Sequence, residues 1–183
     1  MGIKSGDFVF DLSVPLKYAY DGSTHEAHTI TLQEPSMEHN KFTSRLEQMI
    51  SRAEIEAMTT FNQIQNSIGD VVKPFTDQVE KIESQFEQNY ETLKLMIKTS
   101  EKVDAWDFLS TFEKMVCIPK PKKSICLIDG RAIMTSALWE NLNPKDAKEM
   151  AYRWCAFFVM PSEEGLTKSS GQRSGSHTEP MEV

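Results

Sequence analysis

From Ser36 to Ser100 apolar residues recur at steps of three and four. They fall at Phe42, Leu46, Ile50, Ala53, Ala57, Phe61, Ile64 and Ile68, and again at Phe75, Val79, Ile82, Phe86, Tyr90, Leu93 and Ile97. That spacing keeps them on one helical face. Glu, Gln, Lys, Ser and Thr occupy the other. An amphipathic helix of this kind is not stable alone in water, so the apolar stripe must be covered. Pro35 stops the preceding chain, Ser36 is suited to an N-cap, and Glu38 suits the positive end of a helix. The first helix is expected to run to about Ile68. Gly69, Asp70 and Pro74 predict a break or kink, because proline lacks the amide hydrogen and clashes with a preceding carbonyl. The second is expected from about Phe75 to Thr99. At about 1.5 Å per residue the two span about 50 and 40 Å. They can cover each other only by folding back as an antiparallel pair, and the short helices around Trp106, Trp139 and Trp154 then pack at one end and leave apolar surface beyond for another copy or an apolar client helix. The apolar spacing of the first long helix averages more than the coiled-coil repeat, so it suits globular packing better than a supercoil.

Upstream, Phe8, Phe10, Leu12, Val14, Leu16, Tyr18 and Tyr20 alternate with other residues at period two, predicting a strand with one buried face. Pro15 donates no ladder hydrogen bond, which places this strand at an edge or breaks it there. Asp21-Gly22 is a strong hairpin turn signal, and Thr24 to Leu32 returns as a second strand with His28, Ile30 and Leu32 on one face. A lone hairpin is marginal in water and must pack on something. Downstream, Asp104 can cap a short helix containing Trp106, Phe108, Leu109, Phe112 and Met115. Pro119 and Pro121 end it, with Lys120, Lys122 and Lys123 between the halves. The apolar run Ile125 to Ile128 precedes Asp129-Gly130, and a helix is expected over about Thr135 to Leu142. Asn143-Pro144 then reads as a cap followed by proline at the first helical position. Ala147, Met150, Ala151, Trp154, Phe157 and Phe158 form the stripe of the helix that follows. The residues from Ser162 are rich in Ser, Gly, Glu and Pro and cannot repay the entropy of ordering.

The expected fold class is mainly α with an N-terminal β-hairpin, built from long antiparallel helices plus a small C-terminal helical unit. The expected organisation is a hairpin at 7–33, a helical body at 36–116, a C-terminal helical unit at 124–161 and a disordered tail at 162–183.

A net charge of −7 argues against general nucleic-acid binding and against an anionic membrane surface. No apolar run approaches a membrane span. Cys117, Cys126 and Cys155 are an odd set without Cys-x-x-Cys spacing, as expected of reduced thiols in a cytosolic compartment. His25 and His28, three apart on a strand, point to opposite faces, so no metal site is expected. Gly130 and Gly165 stand alone and build no phosphate-cradling loop. No histidine lies between His39 and His177 to serve as a base for Cys126. Asp129 and Glu140 give no supported acid–base pair. Neither an enzyme nor a cofactor is expected.

The acidic line Glu80, Glu83, Glu87 and Glu91 reads as a solvated helix face or a site for a basic partner. The aromatic density around Trp106, Trp139 and Trp154 reads as a core or as a partly open groove for an apolar helix. Phe86, Leu93, Trp106 and Trp154 are the candidate partner-binding residues, and self-association is expected.

The opening "VFDLSVPLKYAYDG", followed by "HTITLQEPS" stepping into a helical body, resembles the tail assembly chaperones of long-tailed bacteriophages. The unit "LIDGRAIMTSALWENLNPKDAKEMAYRWCAFF" is similar to the helical region that follows in such proteins. The resemblance covers roughly residues 7 to 161. It implies a protein of the host cell cytoplasm, absent from the mature virion, that coats apolar helices of the tape measure protein while the tail tube polymerises. The competing classes are a structural tail or baseplate component and an unrelated helical interaction module.

Overall fold

A computed structural model describes residues 7–68, 85–118 and 124–160. The order is β1 (Phe8–Tyr20), β2 (Ser23–Leu32), a 3-10 turn (Met37–His39), α1 (Asn40–Ile68), α2 (Gln85–Thr99), α3 (Ala105–Val116), β3 (Cys126–Ile128), β4 (Ala132–Ile133), α4 (Ser136–Glu140) and α5 (Pro144–Phe158). The kink expected at Gly69 to Pro74, the start of the second helix, the prolines at 119 and 121 and the tail lie outside the described residues.

The expected class, mainly α with long antiparallel helices and a C-terminal helical unit, is corrected. The fold is a mixture of α and β, with a four-stranded antiparallel sheet ordered β1-β2-β3-β4. Ile30 pairs with Ile128 and Leu32 with Cys126, and β4 adds to β3 through Leu127 and Ile133. Strands of three and two residues are too short to show a period, so the apolar run from Ile125 carried no strand signal of its own. The long helical pair is corrected as well. In the described residues α2 packs chiefly on α5, and α1 contacts both α2 and α3. One cluster of buried side chains joins sheet and helices, with Trp154, Phe108, Phe112, Ile30, Leu32 and Leu93 among its most enclosed members.

The hairpin turn follows its sequence. Tyr20 pairs with Ser23, leaving Asp21 and Gly22 as the loop, both at positive φ (51° and 76°). A two-residue turn of this hand matches the strand twist, and Asp-Gly tolerates it. Phe10 and Ile30 are buried against the helical body, while Phe8 and Leu12 are half-buried there.

Within β1 the pairing with β2 is interrupted. Five steps along β1 from Asp11 to Leu16 face two steps along β2 from Thr29 to Ala27, a surplus of three residues. An odd surplus exchanges the faces of the strand. Phe10 pairs with Ile30 and Leu16 with Ala27, and Ala27 and Ile30 lie on opposite pleats of β2. Burial nevertheless keeps the expected alternation, with Phe10, Leu16 and Tyr18 buried, Phe8 and Leu12 half-buried and the residues between them exposed; Val14, inside the bulge, and Tyr20 depart from it. Pro15 sits in this bulge on the edge strand of the sheet, where its missing amide costs no ladder bond. The bulge amides are satisfied from a distance. Ser13 N–H (3.0 Å) and Val14 N–H (3.4 Å) donate to Oδ2 of Asp146, a buried residue in the first turn of α5. A carboxylate there also suits the positive end of the helix.

Caps set the other boundaries. Asp104 accepts the Trp106 amide at 2.7 Å, Thr135 the Leu138 amide at 3.3 Å and Asn143 the Lys145 amide at 2.9 Å. At the start of α1, the buried His39 Nδ1 accepts the Ser36 amide at 3.2 Å, a reciprocal cap made by a histidine in place of the usual Glu or Gln.

The turn after α2 is held from α1. The Glu56 carboxylate accepts the Ser100 hydroxyl and the amides of Glu101 (2.9 Å) and Lys102 (3.2 Å). The Ser100 hydrogen bond is the main cause that holds its carboxyl below the ordinary glutamate value. A depressed value in the folded state means that this contribution is complete above the unfolded pKa and is lost as pH falls through the lowered one. Acid titration of wild type against Glu56→Gln, followed by amide exchange at Glu101 and Lys102, is expected to show wild-type protection falling toward that of the variant below the glutamate range. Parallel curves down to the lowest pH would refute it.

Candidate binding surfaces

The four residues expected to meet a partner separate into different environments. Leu93 and Trp154 are fully enclosed by this chain's own side chains. The Trp154 indole N–H donates to the Gln33 carbonyl (3.4 Å), and its ring packs edge-on to Phe112 (centroids 5.6 Å apart) and beside Phe158 (5.2 Å). Phe86 is half-buried and meets Phe8 at 6.2 Å and Phe157 at 5.9 Å, a small aromatic group whose outermost member, Phe157, is exposed. Trp106 is 79% exposed on the first turn of α3. The fold thus brings Phe86 to a surface aromatic group, leaves Trp106 apart from it, and places the other two inside.

Beyond the short aromatic helices, the second half of α1 carries accessible apolar side chains. Leu46, Met49, Ile50 and Ala53 are buried, and beyond Ala53 no described side chain of this helix is. The apolar seam nevertheless continues. Ala57 and Phe61 are half-buried, and Ile64 is 45% exposed. Ile55 and Met58, off that seam, are also exposed, at 62% and 61%. A helix apolar on more than one side asks for cover on more than one side, which was the available signal.

Other chemistry is muted. Burial pushes the Cys117 thiol up to about 12 and raises those of Cys126 and Cys155 well above the ordinary thiol value, so all three stay protonated and poorly nucleophilic near neutrality. Tyr18 donates to Asp129 Oδ2 (3.3 Å) and Thr29 to Oδ1 (3.4 Å), which fastens the β3–β4 turn to the hairpin. Burial, then the Asp129 charge, raises the Tyr18 hydroxyl. Arg153 bridges α2 and α5, bonding Glu87 (2.9 Å) and Glu149 (3.2 Å) and lying over the Tyr90 ring (4.2 Å). Among the described residues no three His, Cys, Asp or Glu side chains converge as metal ligands, and no helix is long and apolar enough to cross a membrane.

No family model, no curated protein and no solved structure matches this chain.

Proposed function

We propose that the protein is an assembly chaperone that shields an apolar helix of a client, the part tail assembly chaperones of long-tailed bacteriophages play for the tape measure protein. In this reading it works in the host cytoplasm and is absent from the finished particle. The observation that carries the reading is the outer half of α1, where the buried seam of Leu46 to Ala53 continues into the accessible Phe61 and Ile64. A client helix laid along this seam would bury its own apolar stripe against those side chains, the helix-in-groove mode of recognition. The acidic exterior of the chain keeps such a surface soluble.

Each large apolar side chain removed from water is worth about 1.5–3 kcal/mol. Phe61→Glu combined with Ile64→Glu is therefore expected to weaken binding of a tape measure fragment about 100-fold or more. Neither residue is buried, so the denaturation midpoint should move little, by less than about 1 kcal/mol of stability. Co-purification with the fragment and isothermal titration read the first effect, urea unfolding the second. Undiminished binding by the double variant, or the protein in stoichiometric amounts in purified particles, would overturn the reading.

A further inference from the structure

Three cations stand on one face of α1 in a chain that is acidic as a whole. Lys41, Arg45 and Arg52 are spaced four and seven residues apart, so about 100° per residue brings them to nearly the same side of the helix. Glu47 and Glu54 fall on the opposite flank by the same geometry, and Glu56, one turn beyond Arg52 on the cationic side, is engaged by Ser100, Glu101 and Lys102. Together with Ser44 and Gln48 of α1 and Asp107 of α3, the three cations line a shallow cleft of about 410 Å³ between the two helices. Arg45 makes a two-pronged contact with Asp107 (2.9 and 2.8 Å), which fixes α3 beside α1. Lys41 and Arg52 have no carboxylate within ion-pairing distance among the described residues; the Lys41 ammonium lies only over the ring of its neighbour Phe42. Trp106, which precedes Asp107 in α3 and lies outside the cleft's lining, is the most exposed of the three tryptophans.

We propose that this cleft binds an acidic helical segment of a partner protein, with carboxylates reaching Lys41 and Arg52 on either side of the Arg45–Asp107 pair and an apolar side chain resting on Trp106. The net charge of −7 repels an acidic partner at long range, so its approach needs a local positive stripe, and the cleft supplies one. Lys41 and Arg52 are separated by eleven residues, a rise of about 16 Å. A second helix lying along α1 repeats that spacing with Glu eleven positions apart. An exposed tryptophan beside paired charges is the composition of an interface anchor. This surface is distinct from the Phe61–Ile64 seam and does not depend on the role proposed for it.

The test uses the full chain and two synthetic helical peptides of about 18 residues. One carries Glu at positions eleven apart with a Leu between them, and the other carries Lys in place of each Glu. Trp139 and Trp154 are buried, so acrylamide quenching reports chiefly on Trp106. The acidic peptide is expected to protect Trp106 and the basic peptide to leave it open. Raising salt from about 50 mM to about 500 mM shortens the screening length and is expected to weaken binding several-fold. Lys41→Glu with Arg52→Glu, both exposed positions, is expected to abolish protection, and Lys41→Ala with Arg52→Ala to weaken it about tenfold at unchanged helicity. Equal protection by both peptides, or none by either, overturns the proposal. So does a wild-type dimer in sedimentation that the charge-reversed variant dissolves and the acidic peptide does not, because the occupant is then a second copy of this chain.

Discussion

Trp154→Ala is expected to lower the unfolding free energy by about 3–5 kcal/mol. The residue has no exposed surface, and its ring meets Phe112 from α3 and Phe158 from its own helix. Truncation removes the transfer energy of the indole and leaves a void that sheet and helices together must close. It also frees the Gln33 carbonyl, at the end of β2, from its indole donor. Trp154→Phe separates the two contributions: it keeps much of the ring volume and loses the donor, so it should cost about 1–2 kcal/mol. Urea unfolding followed by far-ultraviolet circular dichroism reads both. A small loss for the alanine variant would mean that the space at Trp154 closes without cost, and that its enclosure contributes little to stability.

Asp146→Ala should be nearly as damaging, by about 2–4 kcal/mol. The substitution strips two amide donors of the β1 bulge, Ser13 and Val14, of a charged acceptor, and a hydrogen bond to a charged group is worth about 1.5–3 kcal/mol even where, as here, the donor residues are partly exposed. It also removes a carboxylate from the positive end of α5. Asp146→Asn retains an acceptor oxygen and should recover more than half of the loss. Amide exchange at Ser13 and Val14 distinguishes this account from a general destabilisation: in the alanine variant these two amides should open before those of the paired residues Phe10 and Tyr18. Uniform exchange along β1 would refute the role assigned to Asp146.

Where local chemistry decides, the sequence was legible. Asp21-Gly22 set a two-residue hairpin, Asp104 capped α3, and Asn143-Pro144 opened α5, because each depends on residues within a few positions. Where the deciding partner is distant, it was not legible. Leu12 to Pro15 continue the alternation of β1, and nothing near them shows that an aspartate 133 positions away accepts the amide of Ser13 and holds a bulge that interrupts the pairing with β2. Cys126 to Ile128 became a strand because β2 offered an edge to pair with, which three residues cannot announce. The binding candidates divided for the same reason. Leu93, Trp154 and Trp106 all carry large apolar side chains, and only the packing of α2, α3 and α5 decides that the first two are enclosed and the third is bare. The outer half of α1 was legible as part of an apolar stripe too long for the short helices to cover, but periodicity does not say which of its side chains stay bare.

The pairing of β2 with β3 has a consequence for the order of events at the ribosome. Leu32 must wait for Cys126, the ninety-fourth residue after it, before the inner edge of the hairpin is closed. At about 5–20 residues per second, the nascent hairpin stands with that edge open for about 5–20 s. Its other edge carries a proline and a kinked register, which hinder sideways addition of foreign strands, but β2 has neither device. The vulnerable interval in the life of this protein is therefore during its synthesis, and slow translation between α1 and β3 should raise the fraction that aggregates without altering the stability of the molecules that finish.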